Sequence, residues 1–422
     1  MNRILIAAGL IGCVSAAFAA GAQTPTKELP FGVRLEETRT VLQVDADGLH
    51  GAGAAVIADA VTKARYVLIG EDHLSREIPF FATSICRLMA PGGLHAFAVE
   101  VGPEATRVVN QNLRRPDRVE RIGAFMQAHP DAMAFQNGRD ESDMAAQCAA
   151  LAGPRFQMWG LDQEFFGASG FLLEQMLAAR PGPVARAAIQ KLSSIDQAAA
   201  AAALASGSVG DLLIYKVTDQ QMEDAAAAVK RDGGKRVAEL FNSLAETRAI
   251  FLGQNTDSYA SNGQRARLMK RTLVDRFAAS EQPARVLFKF GDVHAAKGVN
   301  ALDQRDLGNF VAERAEGEGA TSLHIAVYGA KGVHALYAGV GRQVRMEPFV
   351  LTDDADYAWL KDALALRDKA GAGSQWMLMD LRTLRARPPA DLPPAWRRQL
   401  YEYDMLVVAP ELTPSSLIGA KK

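Results

Sequence analysis

Cysteine is scarce in this 422-residue chain: Cys13, Cys86 and Cys148 are too few for a disulfide-stapled scaffold or a cysteine-built zinc site. An excess of one charge is also missing. The 47 basic and 48 acidic residues leave a formal charge of −1, and no run of Lys and Arg forms a stripe that could track phosphates. Nucleic acid is therefore not an expected partner. Beyond the N-terminus no segment reaches the roughly eighteen apolar residues of a membrane helix. The common catalytic signatures are absent too. "GASGF" at 167–171 lacks the last glycine of a Gly-x-Ser-x-Gly elbow, and there is no His-Glu-x-x-His and no Cys-x-x-Cys. Gly51-Ala52-Gly53 follows a loop and has no third glycine. These absences disfavour a serine hydrolase and a dinucleotide-dependent oxidoreductase.

What is present begins with an apolar run from Ile4 to about Ala20 after one basic residue, followed by small residues. It reads as a secretory signal over residues 1–19, cleaved after Ala17-Phe18-Ala19. Leu10-Ile11-Gly12-Cys13 also has the form of a lipoprotein cleavage box. The mature protein is expected outside the cytoplasm, in a periplasm, where Cys86 and Cys148 are free either to pair or to stay as buried thiols.

Short apolar runs alternate with longer helix-periodic stretches: "ARYVLIG" (64–70), "LHAFAVEV" (94–101), "RFQMWGLD" (155–162), "ARVLFKFG" (284–291) and "SLHIAVYG" (322–329). Continuous apolar character belongs to strands covered on both faces, so the expected class is α/β, a mostly parallel sheet flanked by helices. Ser75 and Pro79 open the helix after the first strand, and Gly102-Pro103 opens the next. Residues 20–60 read as a lead-in and 61–416 as the α/β domain. Residues of about 171–257, rich in alanine, read as a helical insertion, and 417–422 as a tail. "QWMLMDL" (375–381) and "DMLVVAPELTPSS" (404–416) are expected to add edge strands.

In open parallel sheets ligands bind beyond the carboxyl ends of the strands. Four of these runs end there in acids or imidazoles: Glu71, Asp72 and His73; Glu100; Asp162 and Glu164; Asp292 and His294. A single carboxylate after a strand is often only a helix cap; agreement across four strands points to a site. His50, His95, His129, His324 and His334 have no acidic company at a strand end and read as structural or surface residues. Imidazoles and carboxylates together can activate water in two ways. A histidine oriented by a carboxylate can act as general base. Alternatively, His73, Glu71, Glu100, His294 and Asp162 could hold a divalent metal that acidifies bound water.

"GEDHLSREIPFF" followed by "FAVEVGPEATRVVNQNL" resembles the opening of the erythromycin esterase-like proteins, in which a Gly-Glu-x-x-His-Gly stretch precedes a strand ending in glutamate. "RARLMKRTL", "VLFKFGDVHAAKG", "DLGNFVAE" and "YDMLVVAPELTPSS" are similar to later parts of that family. The wider superfamily includes ChaN-type haem-binding lipoproteins and Tiki/TraB proteases, built from two α/β halves. The resemblance implies His73 as base, Glu71 and Glu100 as its partners, His294 as a second imidazole, and Arg265 facing an anionic transition state. It implies a hydrolase of an ester, lactone or related bond in a small-molecule substrate. The alternatives are a haem- or metal-binding protein using the same residues without turnover, and a metalloprotease. The chain departs from the esterases in having Glu-Asp-His, one residue shorter and closer to the haem-binding branch, and Leu74 where they have glycine.

Overall fold

The apolar runs become strands because each is buried on both faces. A computed structural model describes residues 29–280, 283–369 and 375–419; the expected signal segment and Cys13 lie outside the described residues. In chain order the strands are β1 (Arg39–Val44), β2 (Leu49–His50), β3 (Tyr66–Glu71), β4 (Leu94–Val99), β5 (Gln157–Gly160), β6 (Arg285–Gly291), β7 (Ser322–Gly329), β8 (Lys331–Leu336), β9 (Arg345–Val350), β10 (Trp376–Asp380) and β11 (Met405–Ala409). Nine of them form one mixed sheet in the order β2-β1-β10-β11-β7-β3-β6-β4-β5, and β8 and β9 form a separate antiparallel hairpin. From β11 to β5 all neighbours run parallel.

Alternate residues of the central strands feed two apolar layers. Val67, Ile69, Phe97 and Leu287 pack with Ile57, Phe81 and Cys148 on one face, while Tyr66, Leu68, Phe288 and Phe290 pack with Met269, Leu273 and Val311 on the other. Each fully buried side chain of this size contributes roughly 1.5–3 kcal/mol. The helix Glu77–Met89 begins where Ser75 Oγ accepts from Ile78 N at 3.4 Å, and Pro103 is the first residue of the helix Pro103–Asn112. Cys86 and Cys148 form a disulfide that ties Glu77–Met89 to the helix Arg139–Ala152.

The late strands are not edges. β10 and β11 lie inside the sheet because β1, from the N-terminal segment, pairs antiparallel with β10 and takes the position outside it. Residues 169–253 form helices with a third apolar cluster that includes Phe171, Leu172, Leu213 and Leu240. The tip of the β8–β9 hairpin docks there: Val340 is buried in this cluster, and its N–H donates to the Gly207 carbonyl at 3.0 Å.

Candidate active site

Residues from β3, β4, β5 and β6 meet at one end of the sheet. His73 donates from Nδ1 to Glu71 Oε1 at 2.9 Å, and its Nε2 lies 3.2 Å from Glu100 Oε2. Glu100 is the hub. Its Oε1 accepts from Arg265 at 2.7 Å and its Oε2 from the Gly291 N–H at 2.7 Å, and the His294 Nε2 stands 3.6 Å from Oε1. Arg265, on the helix Ser258–Ala278, also donates from Nε to Asp162 at 3.0 Å. His294 is held from behind by Asp306, 2.7 Å from Nδ1. Glu71, His73, Glu100, Asp162, Arg265 and His294 are thus brought together.

Crowding charges away from water shifts their protonation. Burial alone would keep His73 neutral, but Glu100 and Glu71 outweigh it and push the imidazole up to about 10. Burial and Arg265 likewise oppose a proton on His294, and Glu100 and Asp306 overcome them, so its pKa is raised. Burial would raise Glu100, yet His294, His73 and Arg265 hold it well below the usual carboxylate range.

Several neighbours have no counterpart among the expected residues. Lys289, in the middle of β6, donates to Glu71 and, at 2.6 Å, to Glu141 on the helix Arg139–Ala152; all three side chains are buried. A lysine inside an apolar run was the visible signal for it. Phe135 stacks on the His73 ring with centroids 3.8 Å apart, from a left-handed backbone at φ 60°, and nothing in its sequence context marks it. Gly291 fits between His73 and Glu100: a Cβ there would lie 3.2 Å from His73 Nε2 and 3.4 Å from Glu100 Oε2.

Other rim residues turn elsewhere. Glu164 caps the helix Pro103–Asn112, accepting from Glu104 N at 2.7 Å and Ala105 N at 3.2 Å, and burial pushes it up to about 8. Asp72 points away from His73 to His334, 2.7 Å off, so His334 does have an acid at a strand end, contrary to expectation, because the hairpin folds back over β3. Asp292 accepts from Tyr328 and Tyr357 at 3.0 and 3.1 Å. His324 is buried with Nδ1 on the Ala295 carbonyl, and burial lowers it to about 4, as befits a structural histidine.

No family model matches the chain, and no curated protein matches it. Among solved structures it superposes on a histidine-to-asparagine mutant of erythromycin esterase EreC in its open conformation, with TM-score 0.63 and 14% identity, covering 90% of this chain and 99% of that one. It has the erythromycin esterase fold. A succinoglycan biosynthesis protein (TM-score 0.60, 14% identity, 91% and 97% covered) and a Bacillus cereus protein (TM-score 0.56, 11% identity, 92% and 98% covered) share it.

On this erythromycin esterase fold the donor set does not fit a resident metal or haem iron. Among the described residues no group of three or more His, Cys, Asp or Glu is arranged to hold an ion. Both ring nitrogens of His73 face carboxylates, His294 Nδ1 is engaged by Asp306, and Glu100 and Asp162 are both paired with Arg265. Arg265 itself is committed to those two carboxylates, which makes it a positioning residue for Glu100.

Proposed function

We propose that the chain is an exported hydrolase that cleaves an ester, lactone or related bond by water attack, with His73 and Glu100 moving the protons. The observation that carries this reading is the placement of His73: Nδ1 is fixed by Glu71, and Nε2 faces Glu100 at the carboxyl ends of a parallel sheet. The fold shared with an erythromycin esterase supports the same reaction class.

At rest His73 carries a proton, shared toward Glu100. The reactive form is the minor one in which that proton sits on Glu100, against the resting preference of the pair, leaving a neutral imidazole whose Nδ1–H stays on Glu71. Nε2 can then take a proton from water as the water oxygen bonds to the carbonyl carbon. Collapse of the tetrahedral intermediate breaks the carbon–oxygen bond, the leaving oxygen takes the proton from Glu100, and the starting charges return. Arg265 and the Gly291 N–H hold Glu100 in place throughout.

Export accords with the N-terminal apolar run and with the Cys86–Cys148 disulfide, which suits an oxidising compartment such as a periplasm. The deciding experiment is turnover of p-nitrophenyl esters and simple lactones by the purified protein and by His73→Asn. Turnover that drops by about 10²–10⁴-fold in the folded variant supports the assignment; no turnover at all, or turnover unaffected by the substitution, removes it.

A further inference from the structure

Beside the proton-moving cluster, one residue further along both β3 and β6, lies a cavity of ≈ 230 Å³. Glu71, Asp72, Asp292 and Asp354 supply its carboxylates, His334 its imidazole, and Tyr328, Tyr357 and Phe349 its aromatic wall. Among the described residues no Lys or Arg lines it. Asp72 is answered by His334, and Glu71 by Lys289 and His73. Asp292 is not answered by any positive charge on the wall: one oxygen accepts from the Tyr328 and Tyr357 hydroxyls and the other from the Val293 N–H. Those donors orient the carboxylate and leave its charge in place. Asp354, at the rim, likewise faces the cavity without a basic neighbour on its wall. Glu71 adds a second, independent sign: it is 3% exposed, and its Oε2 has no hydrogen-bond partner among the described residues.

Carboxylates without counter-charge, set among aromatic faces, are the chemistry that receives an organic cation: the ring quadrupoles and the acid charge attract the same group. The volume is below the roughly 300–1,000 Å³ of a site for a whole drug-sized ligand, so it suits one headgroup of a larger molecule. We propose that this cavity is the subsite for an ammonium headgroup carried by the molecule whose bond is cleaved beside it. The substrate class is then a cationic ester or lactone. This rests on the hydrolase reading for the word substrate, but the cation subsite is testable without turnover.

The probes are choline and its neutral isostere 3,3-dimethylbutan-1-ol, titrated calorimetrically into the full protein at fixed ionic strength. Choline should bind roughly tenfold more tightly than the isostere, and Asp292→Asn and Asp354→Asn should each weaken it several-fold. Asp354 is exposed, so its variant keeps the test alive if Asp292→Asn does not fold. Equal binding of the two probes, no binding of either, or choline affinity indifferent to both substitutions overturns the proposal. A parallel comparison of acetylcholine with 3,3-dimethylbutyl acetate separates the two readings. Selective choline binding without hydrolysis of any ester retains the subsite and removes the hydrolase. Hydrolysis of both esters at equal kcat/KM, with no selective binding, removes the subsite alone.

Discussion

His73 and Glu100 stand 3.2 Å apart although their strands, β3 and β4, are not neighbours: β6 runs between them and ends in Gly291. The contact exists because β6 presents no side chain at that level. Gly291 has φ −50° and ψ 143°, a backbone any residue adopts, so its requirement is for space. Gly291→Ala should fold with nearly unchanged thermal stability but spread His73 from Glu100. The neighbours must give by a few tenths of an ångström, and since a 1 Å misplacement costs roughly 10²-fold, kcat on the ester should fall by up to about 10-fold. Measuring kcat and Tm on one preparation checks this, and a fully active variant would show that the contact is dispensable.

Lys289 is shared between Glu71 and Glu141 where all three are buried. Replacing it with Met leaves Glu141 buried without a cation and Glu71 with only His73, which should cost about 3–5 kcal/mol. Restoring neutrality with Glu141→Gln in the same chain should recover part of that loss. Urea unfolding of the single and double variants reads both numbers.

Stability should fall on the alkaline side. The folded chain binds the His73 proton more tightly than the unfolded one, with a pKa of about 10 against 6.5, so its contribution is complete below pH 6.5 and is lost as pH rises toward 10. Glu141, which burial pushes up to about 7 from 4.5, gives a loss of the same sign between those lower values. Glu100 acts oppositely: with its pKa depressed, its contribution is present above pH 4.5 and disappears as pH falls. Urea midpoints from pH 7 to 10 should decline in the wild type and flatten in His73→Asn; parallel curves would refute the assignment of the limb to His73.

Reduction of Cys86–Cys148 opens a crosslink spanning 62 residues, worth about 4 kcal/mol in the chain-entropy account. It also unties the helix that carries Glu141. Unfolding midpoints with and without a phosphine reductant should differ accordingly, and the Cys86→Ala/Cys148→Ala double variant should match the reduced protein.

The central strands were legible in the sequence because burial on both faces writes an uninterrupted apolar run, as in "YVLIG" and "VLFKFG". β1 was not, since its six residues are mostly half-buried or exposed, and missing it made β10 and β11 look like edges. The β8–β9 hairpin is exposed along much of its length and carries no such run. Within the site, Glu71, His73, Glu100 and His294 could be located because the strand-end rule fixes the place of each independently of its partners. Glu141, Phe135 and Asp306 come from helices and a loop whose approach only the folded chain specifies. His334 shows the same limit: its acid, Asp72, is 262 positions away and is met through a hairpin the sequence did not announce.

Lys289 has one more effect, on how the sheet is assembled. In the observed alignment Ile69 lies opposite Lys289 and Glu71 opposite Gly291. Sliding β6 by two residues, so that Lys289 lies opposite Val67, would keep every side chain on its own face and exchange one apolar neighbour for another, so greasy contacts alone discriminate weakly between the alternatives. The shifted arrangement would, however, strand an ammonium among hydrocarbons, out of reach of both carboxylates. Lys289 thus behaves as an indexing pin, rejecting misaligned sheets that its apolar neighbours would tolerate.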